Sequence, residues 1–369
     1  MEKQVISLFC ENMPVKVVLF GTGKIGTGIG YEHIKAMGLT VAFFCDNDKS
    51  KWGKIIKDDI YCISPKELLE YDDCVVFILT NQVDSAMIRE QLLSMGKQKV
   101  IEFKEIAYCD EYVDNVLNLK DSSHIACIEE TKAPKYSKDL VHNEKNKKIA
   151  LYTCITGNYE PLIEPAVIER DYIDYYYISE KAPIHKTIYN FIDIKDILPK
   201  EVRDYIRQNR FCKILGCDIF KNYPYSIYID GKVLVNGKLS KHLSNINDTG
   251  ITLRKEEPPF DCIYKEAAWS MTEFAHKELI RQQMQKYYNE GMPRHYGAFD
   301  CTCLIRDNQN EALKKVMLDW WNEVFNYSFR DQNSFTYALW KNGYRFDDIK
   351  AMPGTLNNDD DLLLIRGHR

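Results

Sequence analysis

Apolar residues in the first hundred positions fall into short runs separated by helical stretches. The runs VKVVLF (15–20), LTVAFFC (39–45), CVVFILT (74–80) and KVIEF (99–103) read as buried strands. GTGKIGTGIG and the residues to Met37 follow the first run, SPKELLEY the second, and a helix capped by Asn81 and running through Leu93 the third. Ser64, Pro65 and Glu67 form a capping-box pattern: cap, first helical position and N3. Strands alternating with helices predict an α/β fold with a parallel sheet and right-handed crossovers. The pattern then changes. Residues 109–131 read as one polar helix or two short ones, and KAPKYSKDLVHNEKNKK (132–148), Lys-rich and broken by Pro134, reads as a solvated linker. A second mixed α/β domain opens at IALYTCITGNYEPL. Its strands are expected at 149–155, 172–178, 225–229 and near 299–305, and its helices at 199–209, 266–288, 309–324 and 331–341. The organisation is therefore domain 1–108, linker 109–148 and domain 149–369.

Composition narrows the class. The chain has 369 residues, 45% hydrophobic and 28% charged, as in a globular protein of two domains. Its net charge of −5 offers no basic field for nucleic acid or an anionic membrane. No apolar run reaches the roughly 20 residues of a membrane helix, so membrane contact is expected to be peripheral at most. Residues 1–20 lack a secretory pattern, and the 12 cysteines sit mostly in apolar runs as buried thiols, which suits a cytoplasmic protein. Cys301 and Cys303 are expected on one face of a strand, and no cysteine spacing resembles a structural zinc site.

GTGKIG places Gly21, Gly23 and Gly26 between a strand and a helix, where G-x-G-x-x-G binds a pyrophosphate at a helix N-terminus. Asp46, at the end of the second strand, stands where a carboxylate holds a ribose hydroxyl. Gly28 and Gly30 continue the run into the expected helix, for close packing or as part of a longer loop. The ligand is NAD(P), another nucleotide or none. Through FCDNDKSKWGK and ISPKELL, residues 15–103 resemble the small Rossmann-like module found beside transferases in bacterial polysaccharide gene products.

In YSIYIDGKVLV (225–235), Asp230 and Gly231 interrupt an apolar run. Asp-Gly between apolar runs is a hairpin signal. A carboxylate at the C-terminal end of a central strand is also where open α/β sheets bind ligands, and there it takes a divalent cation that holds a diphosphate. Arg210 and Lys213 share a helix face, either as solvated cations or as a diphosphate clamp. Asp300 is an acid in an apolar strand and must be paired or functional. Ser328 and Asp331 match a capping box, which competes with a functional role for Asp331.

IALYTCITGNYEPL, DYIDYYYISE, NRFCKILGCDIFKNYPYSIYIDGKV, FDCIYKEA, HYGAFDCTCLIRDN and WWNEVFNYSFRDQNSFTYAL follow one another in order. In these segments residues 149–341 resemble the glycosyltransferase-like domain shared by plant mucilage-synthesis proteins and bacterial polysaccharide enzymes. The resemblance implies a GT-A-like fold and transfer of a sugar from a nucleotide sugar, such as a UDP-sugar, to a cell-surface glycan or its lipid-linked precursor. It implies that Thr156, Asn158, Tyr159, Arg210, Lys213, Asp230 and Gly231 bind the donor, with Mn²⁺ or Mg²⁺ at Asp230. It implies acceptor-side or catalytic roles for Asp300, Asp331 and Glu266, although the family commonly carries Glu where this chain has Asp300. Two alternatives stand beside it. One is an NAD(P)-dependent nucleotide-sugar-modifying enzyme built on the first domain, and the other is a non-catalytic nucleotide-binding module.

Overall fold

Buried aliphatic runs form the central strands of both halves of the chain, in a computed structural model that describes residues 16–36, 39–80, 82–103, 110–120, 128–256, 260–273, 276–354 and 360–365. Two units divide the chain, residues 1–120 and 121–369. Asn81, expected to cap a helix, and parts of the 109–131 segment lie outside the described residues.

The first unit holds strands β1 (Lys16–Phe20), β2 (Val41–Cys45), β3 (Ile55–Lys57), β4 (Ile60–Ile63), β5 (Cys74–Ile78) and β6 (Val100–Glu102). They form one sheet in the order β3-β4-β2-β1-β5-β6, parallel except for β3. The antiparallel pair β3–β4 was not expected, its strands being only three and four residues long. Ser64 and Glu67 do form reciprocal cap bonds of 2.7 and 3.1 Å, but they start only the short 3₁₀ segment Glu67–Glu70. The helix expected after the glycine loop is broken at Gly28 into Lys24–Thr27 and Ile29–Ala36. Gly26 is enforced by crowding, since a Cβ there would lie 1.8 Å from the Gly21 carbonyl oxygen.

The second unit holds β7 (Ile149–Cys154), β8 (Ile173–Ser179), β9 (Asn190–Asp193), β10 (Tyr225–Ile229), β11 (Val233–Val235), β12 (Ile251–Lys255), β13 (Phe299–Asp307) and β14 (Leu362–Leu364). Its main sheet runs β12-β13-β10-β7-β8-β9. Strands β7 to β10 are parallel, and β13 is antiparallel to both β10 and β12. The C-terminal ends of β7, β8, β10 and β12 therefore lie at one end of the sheet with the start of β13. The single helix expected at 266–288 is two helices, Ile263–Glu273 and Lys277–Asn289.

Three expectations are corrected here. Asp230-Gly231 is not a hairpin between paired strands. The Val233 N–H donates to the Asp230 carbonyl in a turn, and the chain then leaves the main sheet. Strand β11 pairs antiparallel with β14 instead. Asp361 fixes this pairing: its carbonyl accepts from the N–H groups of Asn236 and Gly237, and its carboxylate meets Lys241 and His242. Secondly, Cys301 and Cys303 do not share a face. Cys301 enters the core with Trp320 and Phe335, and Cys303 the opposite core with Ile227 and Ile305. The alternation slips because β13 bulges against β12, whose register jumps between Thr252 and Arg254. Thirdly, residues 132–148 are not a free linker. Ala133 and Val141 are buried in the second unit, and the Trp321 indole N–H donates to the Pro134 carbonyl at 2.9 Å. The nine described cysteines are all buried.

The helix Tyr205–Ile214 is fixed at both ends. The Asp204 carboxylate accepts from the Arg207 N–H at 2.8 Å as N-cap. At the other end the buried Arg306 donates to the carbonyls of Lys213 and Ile214 at 2.8 and 3.1 Å, and to the Tyr152 hydroxyl at 2.6 Å. A guanidinium there satisfies carbonyls that have no partner in the helix and opposes the negative end of its dipole. Gly216 makes room for this cap, since its Cβ would stand 2.0 Å from the Tyr152 hydroxyl and 2.3 Å from Arg306. Gly216→Ala should therefore cost about 1–3 kcal/mol by forced displacement. At Gly23 a Cβ meets nothing within 4 Å, and Gly23→Ala should stay within about 0.5 kcal/mol of the parent. Urea denaturation of the two variants checks both values.

Candidate functional site

Strand β10 delivers Asp230 to the end of the sheet, and the Asp230 N–H donates to the Thr302 carbonyl at 2.9 Å. One carboxylate oxygen, Oδ1, accepts from Lys213 Nζ at 3.2 Å and from the Tyr228 hydroxyl at 2.9 Å. The side chain is 21% exposed, so Asp230 is at once anchored and open to solvent.

Lys213 is only 1% exposed. Its ammonium lies 2.5 Å from Asp331 as well as 3.2 Å from Asp230. Arg210, one turn earlier on the same helix, approaches Asp331 at 3.5 Å. Burial alone would lower the Lys213 pKa, but the two carboxylates outweigh it and raise the value. Burial alone would raise the Asp331 pKa, but Arg210, Lys213 and Arg330 hold this carboxyl well below the usual carboxylate range. The capping-box reading of Asp331 is thus corrected. The Ser328 hydroxyl accepts from the Arg330 N–H, and the Asp331 carboxylate faces the two cations.

The turn Arg330-Asp331-Gln332 reaches four partners. Arg330 grips Glu266 with bonds of 2.8 and 3.1 Å, Asp331 holds Lys213 and Arg210, and the Gln332 amide donates to Glu256 at 2.9 Å. Asp300, at the start of β13, pairs with the buried Arg254 of β12 at 3.0 Å and accepts from the Thr302 N–H and hydroxyl at 2.9 and 3.0 Å. Burial raises the Glu266 pKa even though Arg330 offsets part of the effect. Burial, with the charges of Asp300 and Glu266, pushes Glu256 up to about 7.

On the β7 side, the Thr156 hydroxyl donates to the Tyr205 carbonyl at 2.8 Å, which ties the loop after β7 to the helix carrying Arg210 and Lys213. Gly157 and Asn158 both have positive φ, at 62° and 53°. Tyr159 is 72% exposed. Gly231 lets this loop come close, since a Cβ there would lie 2.7 Å from the Glu160 carboxylate and 3.0 Å from Ile155.

Arg210, Lys213, Asp230 and Asp331 thus form one cluster, and Asp300 and Glu266 are each bound to a cation. Tyr228, Arg254, Glu256, Arg330 and Gln332 were missed. The Arg-Asp-Gln segment signalled two of them. Glu256 carried no signal, because it follows a strand that the apolar pattern did not reveal.

The described residues contain no group of three or more His, Cys, Asp or Glu side chains able to hold a metal. Asp230 fits a cation in one way only. It offers a single solvent-reaching carboxylate, and a hard cation must complete its shell with water and ligand oxygens. In the first unit, Asp46 does meet the glycine loop, but as a bonded partner. Its Oδ2 accepts from the Thr22 N–H and hydroxyl at 2.9 and 2.5 Å and from Lys51 at 3.1 Å, while Oδ1 accepts from the Asp48 N–H. Burial would raise the Asp46 pKa, but these donors bring it below its usual value. A ribose diol would therefore have to bond through Oδ1 or displace Thr22 from Oδ2.

Residues 178–350 match the family model of the TOD1/MUCI70 glycosyltransferase-like domain. A comparison with curated proteins returns no match. Among solved structures, the WbbM bifunctional glycosyltransferase in its apo form is similar at 11% identity and a TM-score of 0.36, over 58% of this chain and 40% of that one. Apo mouse xyloside xylosyltransferase 1 is similar at 14% identity and 0.35, over 52% and 81%. RSP, a Rex-family repressor, is similar at 12% identity and 0.22, over 32% and 67%. Likenesses of this size carry no argument about function. No helix among the described residues is long and apolar enough to cross a membrane.

Removing Lys213 takes from the buried Asp331 its closest cation and leaves Arg210 at 3.5 Å, so Lys213→Met should cost about 3 kcal/mol in denaturant unfolding. The Asp331 contribution to stability is fully present above the unfolded carboxyl pKa of about 3.9 and is lost as pH falls through the lower folded value. With a weaker cation cluster, Lys213→Met should move that acid-side loss to higher pH. Unfolding curves taken between pH 2 and 6 read the displacement.

Proposed function

We propose that residues 121–369 form a glycosyltransferase that moves a sugar from a nucleotide diphosphate donor, with UDP-sugars the donors to test first, to a hydroxyl of a cell-surface glycan or its lipid-linked precursor. The match of residues 178–350 to a glycosyltransferase-like domain supports the class. The observation that carries the donor assignment is Asp230. It is a solvent-reaching carboxylate, anchored by a buried lysine, at the C-terminal end of a parallel strand. That is where open α/β sheets take ligands.

Each part has a chemical task. Transfer breaks the bond between the anomeric carbon and the diphosphate, and negative charge grows on the departing oxygens. A divalent cation, Mg²⁺ or Mn²⁺, held by Asp230 would supply Lewis-acid stabilisation of that charge. Lys213 and Arg210 set a fixed positive field at the same place, needing no reorganisation as the charge develops. Their charges persist because Asp331 keeps them paired while buried. Thr156, Asn158 and Tyr159 shape the loop that faces the nucleotide. Gly231 lets that loop lie against the turn after Asp230. Asp300, Asp331 and Glu266 act as positioning residues, each holding a cation in place.

The test needs no acceptor. A ligand that binds only the folded state raises the melting temperature by mass action. UDP with Mn²⁺ should raise it, and Asp230→Asn should abolish the shift. NAD⁺ or NADP⁺ alone should produce none. A shift confined to a dinucleotide would overturn the donor assignment and return the chemistry to the first unit. Asp230→Asn keeps the Oδ1 acceptor for Tyr228 and leaves Lys213 paired with Asp331, so it should unfold within about 1–2 kcal/mol of the parent while losing transfer.

A further inference from the structure

The geometry points to Glu256 as the group that accepts the proton of the acceptor hydroxyl, an inference that rests on the transferase reading above. The first observation is placement. Glu256 directly follows β12, and its N–H donates to the Ala298 carbonyl, so its backbone is part of the sheet. It emerges at the same end of the sheet as Asp230 and Asp300.

The second observation is how its carboxyl is bonded. Oε1 accepts from the Gln332 side-chain amide at 2.9 Å, which fixes the rotamer. Asp300, Asp331 and Glu266 are each held by an arginine or lysine at 2.5 to 3.0 Å, and among the described residues Glu256 has no such ion pair. Glu256 is half-buried, so it keeps a route to solvent while the other three are buried. Asp300 on β13 and Glu266 on the helix Ile263–Glu273 press negative charge on it, and Arg330 and Arg254 offset part of that. These influences raise its affinity for a proton to a value near neutrality, where a carboxylate is a competent base.

The step balances without a further reactant. The acceptor oxygen bonds to the anomeric carbon, the bond from that carbon to the diphosphate breaks, and the electron pair leaves with the nucleotide. The hydroxyl proton goes to the ionised Glu256, which later releases it to solvent. Gln332 is a positioning residue, since it acts through Glu256.

Three measurements test this on the full chain. UDP release from UDP-glucose, UDP-galactose and UDP-N-acetylglucosamine should fall by about 10²–10⁴ in Glu256→Gln, while the melting shift with UDP and Mn²⁺ is kept. The parent's rate should rise with pH through about 7, and Gln332→Ala, which removes a hydrogen bond to the ionised form, should move that limb to higher pH. Stability provides a readout independent of turnover. A carboxyl raised from about 4.3 in the unfolded chain to about 7 lowers the parent's stability as pH rises through that window. Glu256→Gln should therefore gain on the parent between pH 4.5 and pH 8.

Unchanged UDP release in Glu256→Gln would overturn the assignment of the base, and so would a stability difference independent of pH. A parent that releases no UDP from any donor and shows no melting shift with UDP and Mn²⁺ would instead sink the transferase reading and this inference with it. Turnover lost together with the UDP shift would make Glu256 a structural residue and also overturn the proposal.

Discussion

A lysine ammonium with almost no access to water sets the terms for the second unit. Taking such a charge out of water costs several kcal/mol, and only close carboxylates offset it. Lys213 has two, Asp230 and Asp331. One arrives at the end of β10 and the other on the turn before the helix Phe335–Lys341, about a hundred positions apart in the sequence. Their convergence on a single nitrogen requires the sheet, the helix Tyr205–Ile214 and the Arg330–Gln332 turn to be in register together. The asymmetry between the two acids then separates their roles. Asp331 is buried and neutralises, whereas Asp230 keeps contact with solvent.

That arrangement rests on supports farther from the solvent-facing end of the sheet. Arg306 seals the C-terminal carbonyls of the helix bearing Lys213, and Gly216 leaves the room for it to do so. The bulge in β13 sends Cys301 and Cys303 to opposite cores and breaks the simple two-residue alternation in the strand that also carries Asp300 and Thr302. Bulges next to sites commonly re-aim side chains in this way. Here Asp300 meets both Thr302 and Arg254.

The parts of this legible in the sequence are those fixed by local pattern. Apolar runs located β1, β2, β5, β6, β7, β8, β10 and β13 because buried strands need continuous hydrophobicity. The spacing of Arg210 and Lys213 put them on one helix face, and the structure brings both to Asp331. Strands β3, β4, β9 and β12 were missed, being short or rich in polar residues. The Asp-Gly turn was legible but its sequel was not, because the partner of β11 lies more than a hundred residues downstream. Glu256 stands in RKEE, where neighbouring charges suggest a solvated surface. Only tertiary packing places Asp300 and Glu266 close enough to change its proton affinity.

The pairing of β11 with β14 also bears on the order in which the molecule can be built. Domains form from the N-terminal side as a chain is synthesised. All the strands of the first unit's sheet precede residue 103, so that sheet can close early. A growing chain that has emerged only as far as Val235 has every strand of the β10-β7-β8-β9 core but no partner for the segment leaving Asp230. That segment waits through the synthesis of β12, β13 and the helices after them until Asp361 and Leu362–Leu364 arrive. The turn that carries Asp230 therefore receives its outer support last, after the sheet beneath it has formed.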